Sequence, residues 1–337
     1  MIPGRRAAAQ TIAAMVNLDL GSPRIVTLTD YLRWVPLHEN WEGRLMIDAR
    51  AVRSILGEPY YETDGVLLYH GDCADLLAAL PDESVDLTVT SPPYNIGKEY
   101  EQPLTLEDYL EWCHKWMTEI HSATNSTGAF WLNLGYVSVD GKGKAVPLPY
   151  LLWDASPFFL LQEVVWHYGA GVSARRSLSP RNEKFLWYVK DSSEYTFNLD
   201  EIRDPDVKYP NQKKNGKLKC NPLGKNPTDV WSLPKVTSGR NRSSKERTPH
   251  PAQFPEAVIE RVVRASSNSG ELVLDPFVGS GTTALVARRL GRLAVGFEIR
   301  SAYLDIAVKR IEQSLSVGVD QTLPLPLGTL TPVVDDQ

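Results

Sequence analysis

The chain of 337 residues is poor in cysteine and has no long apolar run. Its three cysteines, Cys73, Cys113 and Cys220, form no CxxC pair, so we expect reduced thiols, no disulfide framework and no metal site. No run approaches the length of a membrane span, and residues 1–21 lack the basic start and apolar core of a secretion signal. These absences predict a cytoplasmic protein without a membrane partner. The length suits one large α/β domain with insertions.

The distribution of charge is uneven, although the net charge is only −5. Residues 203–250 contain twelve Lys or Arg and four acidic residues, which gives this segment +8 and the rest of the chain −13. Such a concentration predicts a polyanionic partner for one face, and a solvated basic loop is the alternative. From 203 to 248 the hydrophobic periodicity also vanishes. A connection of this length within a compact domain is expected only where it has a function or is mobile.

Residues 90–95, Thr-Ser-Pro-Pro-Tyr-Asn, follow the apolar, β-branched run 85–89, which is typical of a buried strand. Two prolines end that strand and cannot donate backbone hydrogen bonds. We expect a rigid loop at the carboxyl end of a strand, where open α/β sheets bind their ligands. The hydroxyl of Ser91, the carbonyl of Pro92 and the ring of Tyr94 suit a planar amine. A proline-terminated turn without function is the alternative.

Strand and helix patterns alternate along most of the chain, which predicts a doubly wound, mostly parallel α/β sheet. Further strands are expected at 66–70, 129–134, 161–167, 184–189, 271–274 and 293–297. Helices are expected at 49–56, 74–80, 105–123, 146–153, 255–267, 284–290 and 303–313, with Pro255 at a first helical position. The first 64 residues, with a helix at 7–18 and a short strand at 44–47, carry no motif. We interpret them as an accessory subdomain or a dimer contact.

A second group of residues lies near the end of the chain, where the predicted strand 271–274 runs into Asp-Pro-Phe-Val-Gly-Ser-Gly-Thr-Thr. Gly279 and Gly281 allow the backbone to approach a ligand closely. Glu298 follows Asp275 by 23 residues, near the spacing of about 20 at which an acid meets ribose hydroxyls. This layout predicts a nucleoside site. Because the loop departs from GxGxxG, an NAD- or nucleotide-dependent metabolic enzyme is the more remote alternative.

Together the two groups resemble the beta group of S-adenosyl-L-methionine-dependent DNA amino-methyltransferases, over about residues 66–313. The resemblance is carried by Gly71-Asp72, Ser91–Tyr94, His250-Pro251-x-x-Phe254-Pro255, Asp275–Thr283 and Glu298. It implies a Rossmann-like methyltransferase fold with a permuted motif order, in which the Ser-Pro-Pro-Tyr loop comes first, a basic insert follows and the glycine loop comes last.

The same resemblance implies how S-adenosyl-L-methionine is held. Glu298 would hold the ribose hydroxyls, and Asp72 would meet the adenine amine. From the residues alone, Asp72 is equally a helix cap and His250 a residue at the start of a helix. The implied cofactor residues are Asp72, His250, Phe254, Asp275, Phe277, Gly279, Gly281, Thr282, Thr283 and Glu298.

The implied substrate is a base flipped out of double-stranded DNA. The catalytic candidates are Ser91, Pro92, Pro93 and Tyr94, with Tyr94 stacking on the base. Ser rather than Asp at position 91 favours cytosine N4 over adenine N6, which is the alternative. A DNA-binding protein with an inactive catalytic fold is a third class, against which intact Ser91 and Tyr94 argue. The candidates for DNA contact are Lys208, Lys213, Lys214, Lys217, Lys219, Arg240 and Arg242.

The expected organisation has five parts. They are an accessory region (1–64), the catalytic half of the methyltransferase domain (65–202), a basic target-recognition insert (203–249), the cofactor half (250–313) and a tail (314–337). Beyond DNA, the resemblance allows two further partners, a second copy of the chain and a cognate restriction endonuclease acting on the same site. The sequence decides neither of them.

Overall fold

A nine-stranded sheet forms the centre of the domain in the computed structural model, which describes residues 38–39, 45–99, 101–169, 173–236 and 244–316. The helix expected at 7–18, nearly all of the tail, and Arg240 and Arg242 lie outside these residues. Within the described ranges, none of the helices combines the length and the apolar character that crossing a membrane requires.

The strands of the described residues are, in chain order, β1 (His38–Glu39), β2 (Leu45–Met46), β3 (Tyr61–Thr63), β4 (Val66–His70), β5 (Val85–Thr90), β6 (Thr124–Leu134), β7 (Tyr136–Val139), β8 (Gly143–Pro147), β9 (Phe159–His167), β10 (Asn182–Val189), β11 (Lys213–Lys214), β12 (Lys217–Leu218), β13 (Val230–Ser232), β14 (Leu272–Asp275) and β15 (Leu293–Glu298). The helices are α1 (Ala49–Leu56), α2 (Cys73–Ala79), α3 (Leu106–Ala123), α4 (Pro149–Leu152), α5 (Glu256–Ser266), α6 (Thr282–Arg289) and α7 (Ser301–Ser316).

The strand order in the sheet is β13-β9-β10-β6-β5-β14-β15-β4-β3. Five of the eight pairings between neighbouring strands are parallel. The three antiparallel pairings are those of β10 with β6 and β9, and that of β3 with β4. The predicted mostly parallel sheet is therefore confirmed. Since β4, β5, β6, β14 and β15 run in the same direction, their carboxyl ends meet at one edge, where open sheets bind ligands.

Both faces of the sheet are covered, as alternation along the strands requires. In β4, Val66 and Leu68 pack with residues of α5, α6 and α7, whereas Leu67 and Tyr69 pack with residues of α1, α2 and α3. Nearly every one of these strand residues is buried. The sheet is thus a rigid layer between two sets of helices, and the loops at its carboxyl edge are held by it.

Most predicted helix boundaries differ from the structure by one to three residues, and two of the differences lie at prolines. Val146 belongs to β8, which pairs with β7, and only Pro149–Leu152 are helical. Proline disfavours a helical conformation in the residue before it, so Pro147 keeps Val146 in the extended strand. Leu148 is the N-cap with φ of −56° and ψ of −35°, and Pro149 takes the first position of the helix. Pro255 is the N-cap of α5 with extended ψ of 138°, and the helix begins one residue later than predicted.

The basic insert is less separate from the domain than the sequence predicts. Its residues Val230–Ser232 form β13, which pairs in parallel with β9 at the edge of the central sheet. Trp231 is buried and stacks on Trp131 with ring centroids 5.7 Å apart. The last part of the insert therefore belongs to the core of the domain, because an aromatic side chain gains from burial whatever the charge of its neighbours.

A β-hairpin with a two-residue turn, formed by β11 and β12, lies in the middle of the insert. Asn215 and Gly216 connect the strands with φ of 52° and 76°, the left-handed values that a type I′ turn requires. The Asn-Gly pair is the sequence signal for this hairpin, which the loss of hydrophobic periodicity concealed.

Candidate active site

The loop after β5 is held rigidly from two sides. The hydroxyl of Tyr109 on α3 donates to the carbonyl of Pro93 at 2.8 Å. The carboxylate of Glu101 accepts three backbone N–H groups of the loop, including that of Tyr94 at 2.8 Å. Pro92 is buried and Ser91 is half-buried. The sequence-predicted residues Ser91–Tyr94 therefore form one fixed surface at the carboxyl edge of the sheet.

A short chain of hydrogen bonds orients the hydroxyl of Ser91. The Ser91 Oγ lies 2.8 Å from the Tyr94 Oη, which lies 2.8 Å from the Oδ1 of buried Asn133 on β6. The amide nitrogen of Asn133 donates to the carbonyl of Lys184, so its Oδ1 faces Tyr94 and can only accept. Tyr94 therefore donates to Asn133, and Ser91 donates to Tyr94. The lone pairs of Ser91 are left to accept hydrogen bonds from an amine.

Two residues of this arrangement, Asn133 and Gly135, were missed by the sequence reasoning. A Cβ atom at Gly135 would lie 2.9 Å from the Cε2 of Tyr94, so the absence of a side chain lets the phenol ring pack against the backbone. Both residues lie at the carboxyl end of β6, which pairs in parallel with β5. That adjacency was the available signal, because polar and small residues at the end of a neighbouring parallel strand lie beside the catalytic loop.

The glycine loop is tied to the acid that ends the next strand. The backbone N–H of Gly279 donates to the Glu298 Oε2 at 3.1 Å, and the N–H of Arg300 donates to its Oε1 at 3.0 Å. Burial raises the pKa of Glu298, although these backbone donors oppose the rise. Gly279 has φ of +47°, and a Cβ there would lie 2.9 Å from the Nε2 of His250. Only glycine fits this place without moving the histidine ring.

Aromatic rings surround the glycine loop. Phe277 packs edge-to-face against Trp112 and Trp116 of α3, with centroid distances of 5.7 and 5.4 Å. The ring of His250 lies 4.3 Å from that of Tyr303, and burial lowers the pKa of His250, which favours the neutral imidazole. Phe254, also predicted for this site, stacks on Phe185 at 5.9 Å. The structure thus places His250 beside the glycine loop that contains Phe277, and their contacts with the cofactor stay predictions.

Other predicted cofactor residues have structural contacts of their own. Asp72 accepts from the backbone N–H of Ala74 at 2.8 Å and caps α2, as the alternative interpretation held. Gly281 has φ of +76°, and a Cβ there would lie 2.8 Å from the Cβ of Ala307, so this glycine allows α6 to approach α7.

The hydroxyl of Thr282 is also engaged within the protein. It accepts a 2.6 Å hydrogen bond from buried Arg310 of α7, and the neighbouring Thr283 is buried as well. The cofactor contacts expected of Asp72, Gly281, Thr282 and Thr283, and of the other predicted cofactor residues, stay predictions.

The basic candidates that the structure describes are all exposed: Lys208, Lys213, Lys214, Lys217 and Lys219. Three of them lie on the β11–β12 hairpin. Within the described part of the chain, no group of three or more His, Cys, Asp or Glu side chains is arranged to hold a metal ion.

The profile of a family described as DNA methylase, covering its N6 and N4 members, matches residues 85–309. This range contains the Ser-Pro-Pro-Tyr loop, the insert and the glycine loop. The chain belongs to the N6/N4 DNA methylase family. The order of its motifs places this DNA methyltransferase in the beta group, as the resemblance implied.

Two relatives illustrate the range of the family around this DNA methyltransferase. Type II methyltransferase M.ScaI of Streptomyces caespitosus is 68% identical over 261 residues, which are 77% of this chain and 86% of the relative. DNA adenine methyltransferase YhdJ of Escherichia coli K12 is 33% identical over 255 residues, 73% of this chain and 82% of the relative.

Two solved structures share the fold. PvuII DNA methyltransferase (cytosine-N4-specific) has a TM-score of 0.59 at 21% identity and covers 77% of this chain and 93% of its own. A putative DNA modification methylase of Thermus thermophilus, complexed with S-adenosyl-L-methionine, has a TM-score of 0.51 at 25% identity and covers 74% and 95%. The predicted Rossmann-like methyltransferase fold is confirmed, and S-adenosyl-L-methionine is the cofactor of this methyltransferase.

The residues of the methyltransferase fit this cofactor. The bare backbone at Gly279 leaves room that a Cβ would fill, and the Glu298 carboxylate beside it can accept hydroxyl hydrogens. The ring of Phe277 is half-buried next to that backbone and supplies an apolar wall. When bound, the cofactor provides an electrophilic methyl group. The protein provides the acceptors and the positioning.

Proposed function

We propose that this DNA methyltransferase transfers a methyl group to the exocyclic N4 amine of cytosine in double-stranded DNA. The observation that carries the proposal is the Ser91 hydroxyl, which donates to Tyr94 and keeps its lone pairs for a substrate amine. In the family that the chain resembles, Ser at this position usually accompanies cytosine, and Asp usually accompanies adenine.

The proposed chemistry is positioning and charge stabilisation by the loop residues. The target cytosine is flipped out of the duplex, because its amine otherwise points into the base pair. The Ser91 Oγ and the carbonyl of Pro92 accept the two amine hydrogens, which turns the nitrogen lone pair toward the methyl donor. The ring of Tyr94 stacks on the base and holds its plane. No covalent bond between enzyme and base is required.

The basic insert is proposed to hold the DNA. The five described lysines predicted to contact DNA are exposed, three of them on the hairpin, and their ammonium groups are suited to phosphate oxygens. A two-stranded ribbon also fits the width of a major groove, so the hairpin can carry side chains to base edges. This assignment accounts for a charge of +8 in one segment of an acidic chain.

Adenine N6 is the second candidate, because one relative at 33% identity is an adenine methyltransferase. The test is to methylate DNA with labelled S-adenosyl-L-methionine, digest it to nucleosides and identify the labelled product by mass. N4-methylcytosine is expected, and N6-methyladenine as the sole product would overturn the cytosine assignment. The double variant Ser91→Ala, Tyr94→Ala is expected to transfer no label. Retained transfer in that variant would show that the site lies elsewhere.

We further propose a cognate restriction endonuclease as a partner in the cell, since the 68% identical relative is a Type II methyltransferase. Methylation-sensitive sequencing of DNA exposed to the enzyme gives the modified base and the recognition sequence together. DNA methylated by this enzyme is then expected to resist an endonuclease that cuts that sequence. Cleavage of fully methylated DNA at the same rate as unmethylated DNA would contradict the pairing.

A further inference from the structure

The carboxylate of Glu183, at the start of β10, contacts three separate parts of the fold. Its Oε2 lies 3.5 Å from the hydroxyl of Tyr94 in the catalytic loop. Its Oε1 accepts from the hydroxyl of Tyr168, just after β9, at 3.2 Å and from the ammonium of Lys235, after β13, at 3.1 Å. All these residues lie at the carboxyl edge of the sheet, because β10 starts where β9 and β13 end.

Lys235 is held in this position by its own segment. The N–H of Leu233 donates to the carbonyl of His167 at 3.1 Å, and the indole of Trp166 donates to the carbonyl of Leu233 at 2.8 Å. The ammonium of Lys235 lies 3.7 Å from the ring centre of Tyr168. The side chains of Glu183 and Lys235 are 17% and 25% exposed, so this ion pair is better shielded from solvent than a surface pair.

We propose that Glu183 is a positioning residue for methyl transfer, which acts by holding the phenol of Tyr94 in place. Its ion pair with Lys235 joins that phenol to the end of the basic insert. The inference rests on the proposed role of Tyr94 and Ser91, and it applies whichever amine is methylated. The single hydroxyl hydrogen of Tyr94 goes mainly to the Asn133 Oδ1 at 2.8 Å, and the Glu183 Oε2 at 3.5 Å is a weaker second acceptor of the same hydrogen. Glu183 therefore adjusts the position of a ring that is already bound, rather than holding it alone.

The two side chains are expected to act as one unit. Loss of the carboxylate leaves Lys235 without its anion and removes one restraint on Tyr94. Loss of the ammonium leaves a poorly solvated carboxylate that turns toward other donors. A displacement of catalytic groups by about 1 Å can cost up to about 10²-fold in rate. We therefore expect either change to lower kcat by about tenfold, with binding of S-adenosyl-L-methionine unchanged.

A second, partly buried Lys–Glu pair joins β10 to β9. Lys184 Nζ is 3.2 Å from Glu163 Oε1, and because Lys184 is the neighbour of Glu183 in β10, this pair lies on the opposite face of the sheet. Glu163→Gln therefore removes a Lys–Glu pair of the same kind from the same strand β10, away from Tyr94. It serves as the control for a merely structural loss.

The experiment compares Glu183→Gln, Lys235→Met, the double variant and Glu163→Gln. Each is checked for cooperative thermal unfolding and then assayed for kcat and KM with duplex DNA, counting total methyl groups transferred. We expect about tenfold lower kcat in both single variants, no further loss in the double variant and near-normal kcat in Glu163→Gln. Lys235→Arg is expected to restore most of the rate. Fluorescence of 2-aminopurine at the target position is expected to rise in Glu183→Gln, since a displaced Tyr94 stacks less well.

Several results would overturn the inference. They are normal kcat in Glu183→Gln, an equal loss in Glu163→Gln, or additive losses in the double variant, which would mean that the two residues act separately. If Glu183→Gln does not fold, Lys235→Met still tests the ion pair, because it removes the partner that lies in the basic insert. Identification of the methylated nucleoside is independent of these rates. N6-methyladenine as product would therefore contradict the cytosine assignment and leave the positioning inference intact.

Discussion

The hydroxyl of Thr90 donates a 2.6 Å hydrogen bond to the buried carboxylate of Asp275. Thr90 immediately precedes the Ser-Pro-Pro-Tyr loop, and Asp275 is the first residue of the glycine loop. The same carboxylate oxygen accepts from the N–H of Phe277 at 3.1 Å. The pairing of the neighbouring parallel strands β5 and β14 sets the spacing between the loop proposed to hold the amine and the loop proposed to hold the cofactor, and this bond links the two strand ends.

The buried Asp275 predicts a pH-dependent stability. Burial raises the pKa of Asp275 from 3.8 to about 6, although hydrogen bonds from neighbouring hydroxyl and N–H groups oppose the rise. The folded state thus prefers the neutral carboxyl, and its contribution is full below about pH 4 and is lost as the pH rises through about 6. Relative to Asp275→Asn, the free energy of unfolding of the wild type is expected to fall by about 2 kcal/mol between pH 4 and pH 7.

Urea unfolding of both proteins over this pH range measures that difference. A difference that does not change with pH would mean that Asp275 has the same pKa in the folded and unfolded states. In the Thr90→Val variant, the pH at which this stability is lost is expected to be higher than in the wild type, because the substitution removes a donor that stabilises the carboxylate.

Asn133→Ala tests the orientation of Ser91. Without this acceptor, the hydroxyls of Tyr94 and Ser91 lose the hydrogen bond that orients them, and we expect kcat to fall by about 10- to 100-fold while the affinity for S-adenosyl-L-methionine is unchanged. The control is Asn125→Ala, which removes a buried amide at the other end of the same strand, where it donates to Asp86. Equal losses of kcat in the two variants would indicate a general effect on β6.

Gly135→Ala tests the packing of Tyr94. The new methyl group would lie 2.9 Å from the ring, so the ring must move, and we expect a loss of about tenfold in kcat with the protein still folded. Gly169→Ala is the matched control, because a Cβ there meets no atom within 4 Å. Steady-state kinetics with duplex DNA measures both. Wild-type kcat in Gly135→Ala would contradict a fixed position of the phenol.

The hairpin lysines predict a salt effect. Replacement of Lys213, Lys214 and Lys217 by alanine is expected to weaken DNA binding and to reduce the slope of log affinity against log salt by about 0.9 for each phosphate group that is no longer neutralised. Fluorescence anisotropy with labelled duplex DNA at several salt concentrations measures the slope. Lys309→Ala, an exposed lysine of α7, is the control. An unchanged slope in the triple variant would place the phosphate-binding residues elsewhere.

Much of the local structure was readable from short-range patterns. The proline-ended strand before Ser91 and the period-3.6 pattern of α3 are properties of neighbouring residues, and the structure has both. The hairpin at Asn215-Gly216 was readable too, but the charge and composition around it masked the signal. Where a helix begins later than predicted, after Pro147 and at Pro255, the reason is again local.

The sequence by itself determined the family, the positions of the Ser-Pro-Pro-Tyr loop and the glycine loop, and the likeness to beta-group enzymes, because short contiguous motifs carry all three. Only the tertiary structure decided which distant residues meet them. Asn133 and Glu183 reach Tyr94, and Lys235 reaches Glu183, because the sheet order sets β6, β10, β9 and β13 side by side. A hydrogen bond between side chains far apart in the chain depends on that order and register, and no pattern of neighbouring residues encodes it.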